Sequence, residues 1–221
     1  MVVQNNKTIY ILGAGSMAKE TYQIYLDAGK KKYVAGFLIN TPSAKESLWD
    51  KKIYQSNVID NQQNKILLIA GIGNPVRKYW VEELKNRGYE FDRAVHESAT
   101  IGYNTKIGPG SIICAEATLT CDIIIGSHVI LNNNATVNHD CVFENFVTIG
   151  PGANIGGKVT IGEGSFIGIG SILSHNIKIG ARSFIGAGSV VISDIPDDVL
   201  AYGAPAKPIR KIDKKDWNNL I

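Results

Sequence analysis

Large apolar residues recur at every sixth position through the second half of the chain, and this period strongly restricts the possible folds. Sixteen consecutive positions follow it without a slip: Ile101, Ile107, Ile113, Leu119, Ile125, Leu131, Val137, Phe143, Ile149, Ile155, Ile161, Ile167, Leu173, Ile179, Ile185 and Val191. A period of six matches neither an α-helix nor an alternating strand. It is typical of a parallel β-helix, in which three six-residue sides close one coil.

Small residues and glycines accompany this repeat. The position two residues before the large one is usually small, as in Ala99, Thr105, Ser111, Ala117, Ala135, Cys141, Ala153, Ser165, Ser171, Ser183 and Ser189. Gly often follows the large residue, as at Gly102 and Gly108. We therefore expect the large residue to fill the core, the small one to fit near a corner, and the glycine to permit the turn.

The first half of the chain instead alternates strand-like and helix-like segments. Strands are predicted at "KTIYILGAG", "YVAGFLIN", "KILLIAGIGN" and "YEFDRAV". One helix is predicted from a cap at Ser16 to about Ala28, and another from Pro75 to near Gly88. This pattern predicts a small, mostly parallel, Rossmann-like α/β domain with its ligand edge at the carboxyl ends of the strands. The predicted domains are residues 1–96 (α/β), 97–196 (β-helix) and 197–221 (C-terminal tail).

Two glycine turns follow predicted strands. Gly13, Gly15 and Ala18 match G-x-G-x-x-G/A, which suits a pyrophosphate at a helix N-terminus, although a tight βα turn needs the same glycines. A dinucleotide site should also carry an acid at the end of the second strand, where this chain has Asn40. This argues against NAD and leaves a sugar nucleotide, with Asn40 bonding to its base or ribose.

The stretch "NHDC" places His139 two residues after the inward Val137, at a turn position that points outward. Such a histidine is either a solvated corner or a general base, because neutral imidazole accepts protons near pH 7. Asp140 can orient the ring if the corner turns its carboxylate back. In an eighteen-residue coil Gly157 lies above His139, where it either leaves space for a substrate or merely completes a turn.

Composition excludes several other classes. The net charge of +3, from 23 basic and 20 acidic residues, is too balanced to indicate nucleic acid or an anionic membrane. The three cysteines lack C-x-x-C spacing, so we expect reduced thiols. No segment approaches the ~20 apolar residues of a membrane span, and we expect a cytoplasmic protein. His128 and His175 are expected at solvated turns, and His96 in a structural role.

The uninterrupted hexads resemble the left-handed β-helix acyltransferases. The order of "GAGSMA", "GIGN", "NHDC" and "GAPAK" resembles the NeuD/PglD group of sugar acetyltransferases. This group contains sialic acid O-acetyltransferases and N-acetyltransferases of nucleotide-linked 4-amino sugars. The resemblance implies His139 as general base, Asp140 as its partner, acetyl-CoA as co-substrate, no metal, and a homotrimer with sites between subunits.

The resemblance also implies binding residues. For the coenzyme they are Thr148, Gly157, Ile169, Ala187 and Lys207, with Arg210 as a further candidate for its phosphates. For the sugar nucleotide and acceptor they are Gly13, Gly15, Ser16, Met17, Asn40, Gly73, Asn74 and Asn132. The chain departs from the group where Met17 and Thr148 replace histidines and where Asn40 replaces an acid. The departures leave the nucleotide and the acceptor open.

These features together predict an acetyl-CoA-dependent N-acetyltransferase of a UDP- or dTDP-linked 4-amino sugar. One alternative is an O-acetyltransferase of sialic acid or another sugar. A second is a sugar-nucleotide-binding protein without catalytic activity. The missing acid at the second strand disfavours a dehydrogenase.

Overall fold

The computed structural model describes residues 7–42, 44–213 and 215–220. An α/β unit comes first. Its sheet has the order β3-β4-β2-β1-β5, and every pairing is parallel except β3 with β4. The strands are β1 (Thr8–Leu12), β2 (Val34–Ile39), β3 (Ser47–Leu48), β4 (Lys51–Gln55) and β5 (Ile66–Ala70). Helices α1 (Ser16–Asp27) and α2 (Arg77–Asn86) follow β1 and β5.

The central strands read as continuous apolar runs because both faces of the sheet are covered, and every residue of β5 is buried. The short hairpin of β3 and β4 was not predicted, since its sequence is interrupted by charged residues. Gly15 is the N-cap of α1 and no side chain caps the helix. The predicted capping role of Ser16 is therefore wrong, because Ser16 is already helical.

A three-sided β-helix follows, and its strands are two residues long. They are β6 (Ala94–Val95), β7 (Thr100–Ile101), β8 (Lys106–Ile107), β9 (Ile112–Ile113), β10 (Thr118–Leu119), β11 (Ile124–Ile125), β12 (Ile130–Leu131), β13 (Thr136–Val137), β14 (Val142–Phe143), β15 (Thr148–Ile149), β16 (Asn154–Ile155), β17 (Thr160–Ile161), β18 (Phe166–Ile167), β19 (Ile172–Leu173), β20 (Lys178–Ile179), β21 (Phe184–Ile185) and β22 (Val190–Val191).

Residues eighteen apart are paired in parallel, for example Leu119 with Val137 and Val137 with Ile155. The predicted inward residues from Ile113 to Val191 form one buried core, so the β-helix predicted from the period is confirmed. The coil begins one hexad before the series recognised in the sequence, because Val95 already pairs with Ile113.

The corners are turned by a different residue from the expected one. Backbone φ is positive at the third residue after the large one in fifteen successive hexads, from Asn104 (φ 54°) to Gly188 (φ 67°). The glycine that directly follows the large residue instead permits close stacking of coils. A Cβ on Gly102 would lie 1.2 Å from the carbonyl oxygen of Thr120 in the next coil.

The α/β unit packs on the face formed by β9, β12, β15, β18 and β21. Ile112 and Ile130 point outward from this face and complete the core of the α/β unit. Higher on the same face, Phe166 stacks on Phe184, and Trp217 of α3 (Trp217–Leu220) packs against Phe184.

Arg77 joins the two parts of the molecule. Its side chain is 2% exposed and donates five hydrogen bonds, to the carbonyl oxygens of Gly73, His128, Phe146 and Val147 and to the hydroxyl of Thr148. Burial lowers the pKa of Arg77 to about 9. Because these acceptors belong to two successive coils and to the turn after β5, the guanidinium fixes α2 on the coil.

The predicted tail is an ordered hairpin of β23 (Val199–Gly203) and β24 (Ala206–Lys211). Strand β23 continues the covered face in parallel with β21, pairing Leu200 with Phe184. This offset of sixteen residues, two fewer than in the coil, explains why the period is lost in the sequence. Within the described ranges no helix is long and apolar enough to cross a membrane.

Candidate active site

His139 and Asp140 occupy an exposed corner between β13 and β14. His139 Nδ1 lies 2.8 Å from Asp140 Oδ2, and the two side chains are about half exposed. Asp140 has φ 59°, and this left-handed turn folds its carboxylate back toward the preceding ring. An ionised carboxylate only accepts hydrogen bonds, so it fixes the hydrogen on Nδ1 and leaves Nε2 as an acceptor.

Gly157 lies one coil above this histidine. A Cβ at this position would lie 2.7 Å from both Cε1 and Nε2 of His139. The next residue, Lys158, donates its backbone N–H to the carbonyl oxygen of His139 at 2.8 Å. The ring therefore fits closely under a glycine backbone, and the predicted juxtaposition of His139 and Gly157 is present.

Three other predicted coenzyme residues lie on a different corner, between the covered face and the face of β13. Ile169 (60% exposed) and Ala187 are eighteen residues apart in one exposed column. Tyr202 lies over Gly186, and its strand neighbour is Lys207. Ile169, Ala187 and Lys207 are thus grouped, but one whole face of the coil separates them from His139 in the same chain.

Thr148 has no surface left for a coenzyme. It is 1% exposed, its hydroxyl donates to the carbonyl oxygen of Gly73, and it accepts from Arg77. The structure therefore replaces its predicted coenzyme contact with a role in joining the α/β unit to the coil. Asn132 is also turned inward, since its amide donates to the carbonyl oxygen of Ile149 at 2.7 Å.

Several residues that were predicted to bind the substrate have structural roles. Met17 is buried in the core under the sheet. Asn74 accepts from the N–H of Val76 and donates to the backbone of Trp217, so it orders the start of α2 and holds the C-terminal helix. Gly73 contributes its carbonyl to the Arg77 cluster. None of these contacts points to a ligand.

A cavity of about 460 Å³ lies at the carboxyl ends of β1, β2 and β5, at the predicted edge. Its lining includes the predicted residues Gly13 and Asn40, and the exposed Gly15 and Ser16 follow at the start of α1. Gly13 has φ +93°, and a Cβ there would lie 2.9 Å from the side chain of Ile72. The turn therefore requires glycine whatever it binds.

Helix α2 contributes a wall of this cavity that was not predicted from the sequence. Tyr79, Trp80 and Glu83 line it together with Arg77. Tyr79 and Glu83 are four residues apart and so share one helix face. That spacing was visible in the sequence, but it indicated no particular cavity until the position of the helix was known.

The remaining histidines have separate environments. His128 was predicted at a solvated turn, and this is wrong. It is 2% exposed, stacked on Phe146 and edge-on to Phe91, and burial followed by the charge of Arg77 lowers its pKa to about 3. His96 bonds to Asp27 of α1 and to Ser98, as its structural role requires. His175 is exposed as expected.

Known structures match this architecture over nearly the whole chain. The acetyltransferase domain of PglB from Neisseria gonorrhoeae FA1090 is 30% identical, with a TM-score of 0.86, covering 93% of this chain and 100% of that one. The chain belongs to the left-handed β-helix sugar acetyltransferases. The family model for the bacterial transferase hexapeptide (six repeats) matches residues 158–193. No curated protein sequence matches at a significant level.

Two further structures are similar to this chain, and one of them contains bound ligands. A mutant of perosamine N-acetyltransferase from Caulobacter crescentus, in complex with CoA and GDP-perosamine, is 27% identical with a TM-score of 0.84. It covers 96% of this chain and 100% of that one. WeeI from Acinetobacter baumannii AYE is 26% identical, with a TM-score of 0.85 and coverage of 92% and 100%.

This family membership makes the protein an acyltransferase with acetyl-CoA as co-substrate. The PglB domain has also been solved in complex with acetyl coenzyme A, with 29% identity to this chain. Among residues 7–42, 44–213 and 215–220, no group of three or more His, Cys, Asp or Glu side chains is arranged to hold a metal ion.

Proposed function

We propose that the protein transfers the acetyl group of acetyl-CoA to the amine of a sugar carried on a nucleoside diphosphate. The main support for this proposal is the 2.8 Å contact between His139 Nδ1 and Asp140 Oδ2, beneath Gly157. This contact leaves Nε2 free to accept a proton at an exposed corner. The solved relatives support an amine acceptor, since one of them is a perosamine N-acetyltransferase with GDP-perosamine bound.

His139 acts as general base in this reaction. Its Nε2 takes the proton of the amine as the C–N bond forms to the thioester carbonyl carbon, and the C–S bond breaks to release the thiolate of CoA. The imidazolium then returns this proton to the thiolate, directly or through water. Asp140 stabilises the imidazolium and keeps the hydrogen on Nδ1, as the acid does in other base–carboxylate pairs.

The N-terminal unit, proposed as a Rossmann-like domain, holds the nucleotide in the cavity at the strand ends. Gly13 makes the turn, and the exposed residues Gly15 and Ser16 begin the helix whose N-terminus receives the diphosphate. Asn40 supplies hydrogen bonds to the nucleoside. The expected UDP or dTDP is one possibility for the base, and a relative that binds GDP-perosamine extends the range.

Coenzyme A lies between subunits of a homotrimer in this proposal. Ile169 and Ala187 offer an apolar edge for the pantetheine arm, and Lys207 offers a cation for a phosphate. A single chain separates this edge from His139 by one face of the coil, so a neighbouring subunit must bring the two corners together. This geometry supports a homotrimer with three equivalent sites.

Release of the CoA thiol tests the proposal. Protein and acetyl-CoA are mixed with GDP-, UDP- and dTDP-linked 4-amino sugars and with free sialic acid, using His139→Ala as control. Release with an amino sugar that disappears in the variant is expected. Release with sialic acid alone identifies a sugar O-acetyltransferase instead. Nucleotide binding without release from any acceptor identifies a non-catalytic binding protein.

A further inference from the structure

The nucleotide cavity contains an acid from an unexpected element. Its strand-end residues are neutral, with Asn40 and Thr41 after β2. Glu83 of α2 is the one carboxylate among the residues that line it. An acid after the second strand would bind ribose hydroxyls in a dinucleotide site, but this acid comes from the helix that follows β5. From this position we expect the carboxylate to contact a part of the nucleotide other than the ribose.

The carboxylate of Glu83 is available for a ligand. Its side chain is 62% exposed, and its ion pair with Arg87 Nη1 is loose at 3.8 Å. The other terminal nitrogen of Arg87 is bonded to Asp60. An exposed pair at this distance contributes little to stability, so a ligand does not need to displace a strong internal partner.

The hydrogen-bonding capacity of a carboxylate distinguishes the nucleobases. A carboxylate has two acceptor oxygens and no donor. Guanine presents two adjacent donors on its Watson–Crick edge, N1–H and N2–H₂. Uracil and thymine present one N–H between two carbonyl oxygens, which repel a carboxylate. Adenine and cytosine present an amino group beside an acceptor nitrogen. Guanine alone among these bases matches both oxygens.

The neighbouring residues of the cavity suit the rest of a purine. Tyr79 lies one helical turn before Glu83, and its ring is 50% exposed on the same wall. A bicyclic base offers a larger stacking face to such a ring than a pyrimidine does. The amide of Asn40 can donate to the O6 oxygen of guanine, and about 460 Å³ is ample for a nucleoside.

We propose that the cavity selects guanine nucleotides, with Glu83 as the residue that determines specificity by accepting both guanine donors. This inference rests on the proposed function, because it assumes that the cavity holds the nucleotide of the sugar donor. It narrows the substrate to a GDP-linked amino sugar. If Glu83 instead bonded to the ribose, GDP and UDP would bind equally. The deoxyribose of dTDP lacks the 2′-hydroxyl, so dTDP would bind more weakly.

Calorimetric binding of GDP, IDP, UDP and dTDP to the full chain tests this proposal. GDP should bind at least about tenfold more tightly than UDP and dTDP, since a bidentate contact discriminates between bases by this order. IDP lacks the N2 amine and should bind several-fold more weakly than GDP. Glu83→Gln should remove the preference for GDP. Glu82→Gln is the matched control, because Glu82 is adjacent, pairs with Lys78 and does not line the cavity.

Two results overturn the inference in different ways. If UDP or dTDP binds as tightly as GDP, or if Glu83→Gln keeps the preference, guanine selection is wrong and the acetyltransferase proposal is untouched. If none of the four nucleotides binds the folded protein, the inference and the nucleotide part of the proposed function both fail. Thiol release with a GDP-linked amino sugar and not with its UDP counterpart would support it independently.

Discussion

The imidazole of His139 lies directly beneath Gly157, so that a Cβ at Gly157 would come within 2.7 Å of the proposed basic nitrogen, Nε2. The two residues belong to successive coils, and their separation is fixed by the pairing of neighbouring strands, such as Val137 with Ile155. The glycine is therefore part of the geometry of the base, whether or not it contacts a substrate.

Gly157→Ala should reduce kcat sharply, by roughly tenfold or more, because the ring must move away from its present position. The ring is half exposed and can swing outward, so the melting temperature should change little. Steady-state kinetics and thermal unfolding of the same preparation check this. An alanine variant with unchanged kcat would contradict the assigned position of the base.

Asp140→Asn should lower kcat by roughly 10- to 100-fold, because the amide removes the charge that stabilises the imidazolium. The effect is expected to be smaller than at a buried carboxylate, since Asp140 is half exposed. Asparagine tolerates the left-handed backbone, so the corner should be retained. Thiol release at saturating acetyl-CoA measures the change.

Asp122→Asn is a matched control for this variant. Asp122 occupies the same corner one coil below, with φ 56°, and bonds to Asn104 rather than to a histidine. Its substitution should leave kcat unchanged. Equal losses in both variants would mean that the corner, and not the histidine–aspartate pair, is being measured.

Arg77→Met should lower the free energy of unfolding by about 2–5 kcal/mol, because it leaves buried carbonyl groups of two coils without their donor. Denaturant unfolding measures this loss. Lys78→Met is the control, since the ion pair of Lys78 with Glu163 is partly exposed and should contribute less than about 1 kcal/mol. Similar costs would indicate that Arg77 does not fix the α/β unit on the coil.

Acid should destabilise the protein through His128. Its folded pKa of about 3 lies below the ordinary value of 6.5, so the folded state resists protonation. The associated stability is complete above pH 6.5 and is lost as the pH falls toward 3, by up to about 1.4 kcal/mol per pH unit. His128→Phe keeps an aromatic ring against Phe91 and Phe146 and removes this titration.

A comparison of the unchanged protein with the His128→Phe variant isolates the contribution of this histidine to the pH dependence of stability. As the pH is lowered from 7.5 to 4.5, the denaturant concentration at the midpoint of unfolding should fall less steeply for the variant. All carboxylates and the other histidines are common to both proteins. Parallel curves would show that His128 is protonated equally in the folded and unfolded states, so that burial does not lower its pKa.

The β-helix was predictable from the sequence because the strands that contain Ile155 and Ile161 pair only with the strands eighteen positions before and after them. The outward direction of His139, the proposed base, was predictable for the same reason, since its hexad position determines it. The pairing of Asp140 with His139 was implied by the resemblance, and the left-handed backbone at Asp140 brings the two side chains together.

The predictions that failed depend on contacts between distant parts of the chain. His128 occupies a corner like many others and is buried only because the segment with Phe91 and helix α2 pack over it. Thr148 points outward from the coil and is sealed by Arg77 in the same way. No local pattern reveals which outward residues another domain will cover.

The unbroken eighteen-residue coil also sets heights along the axis of the β-helix in equal steps. The column of Ala187 reaches Asn133, beside the coil of His139, after three steps of eighteen residues, and each step rises by ~4.8 Å, the spacing of neighbouring strands. The height from the coil of His139 to Ile169 is therefore two whole coils, about 10 Å, and the height to Ala187 is three, about 14 Å. In a chain of this kind, the gain or loss of a complete coil between these positions would change the height by one fixed step of ~4.8 Å.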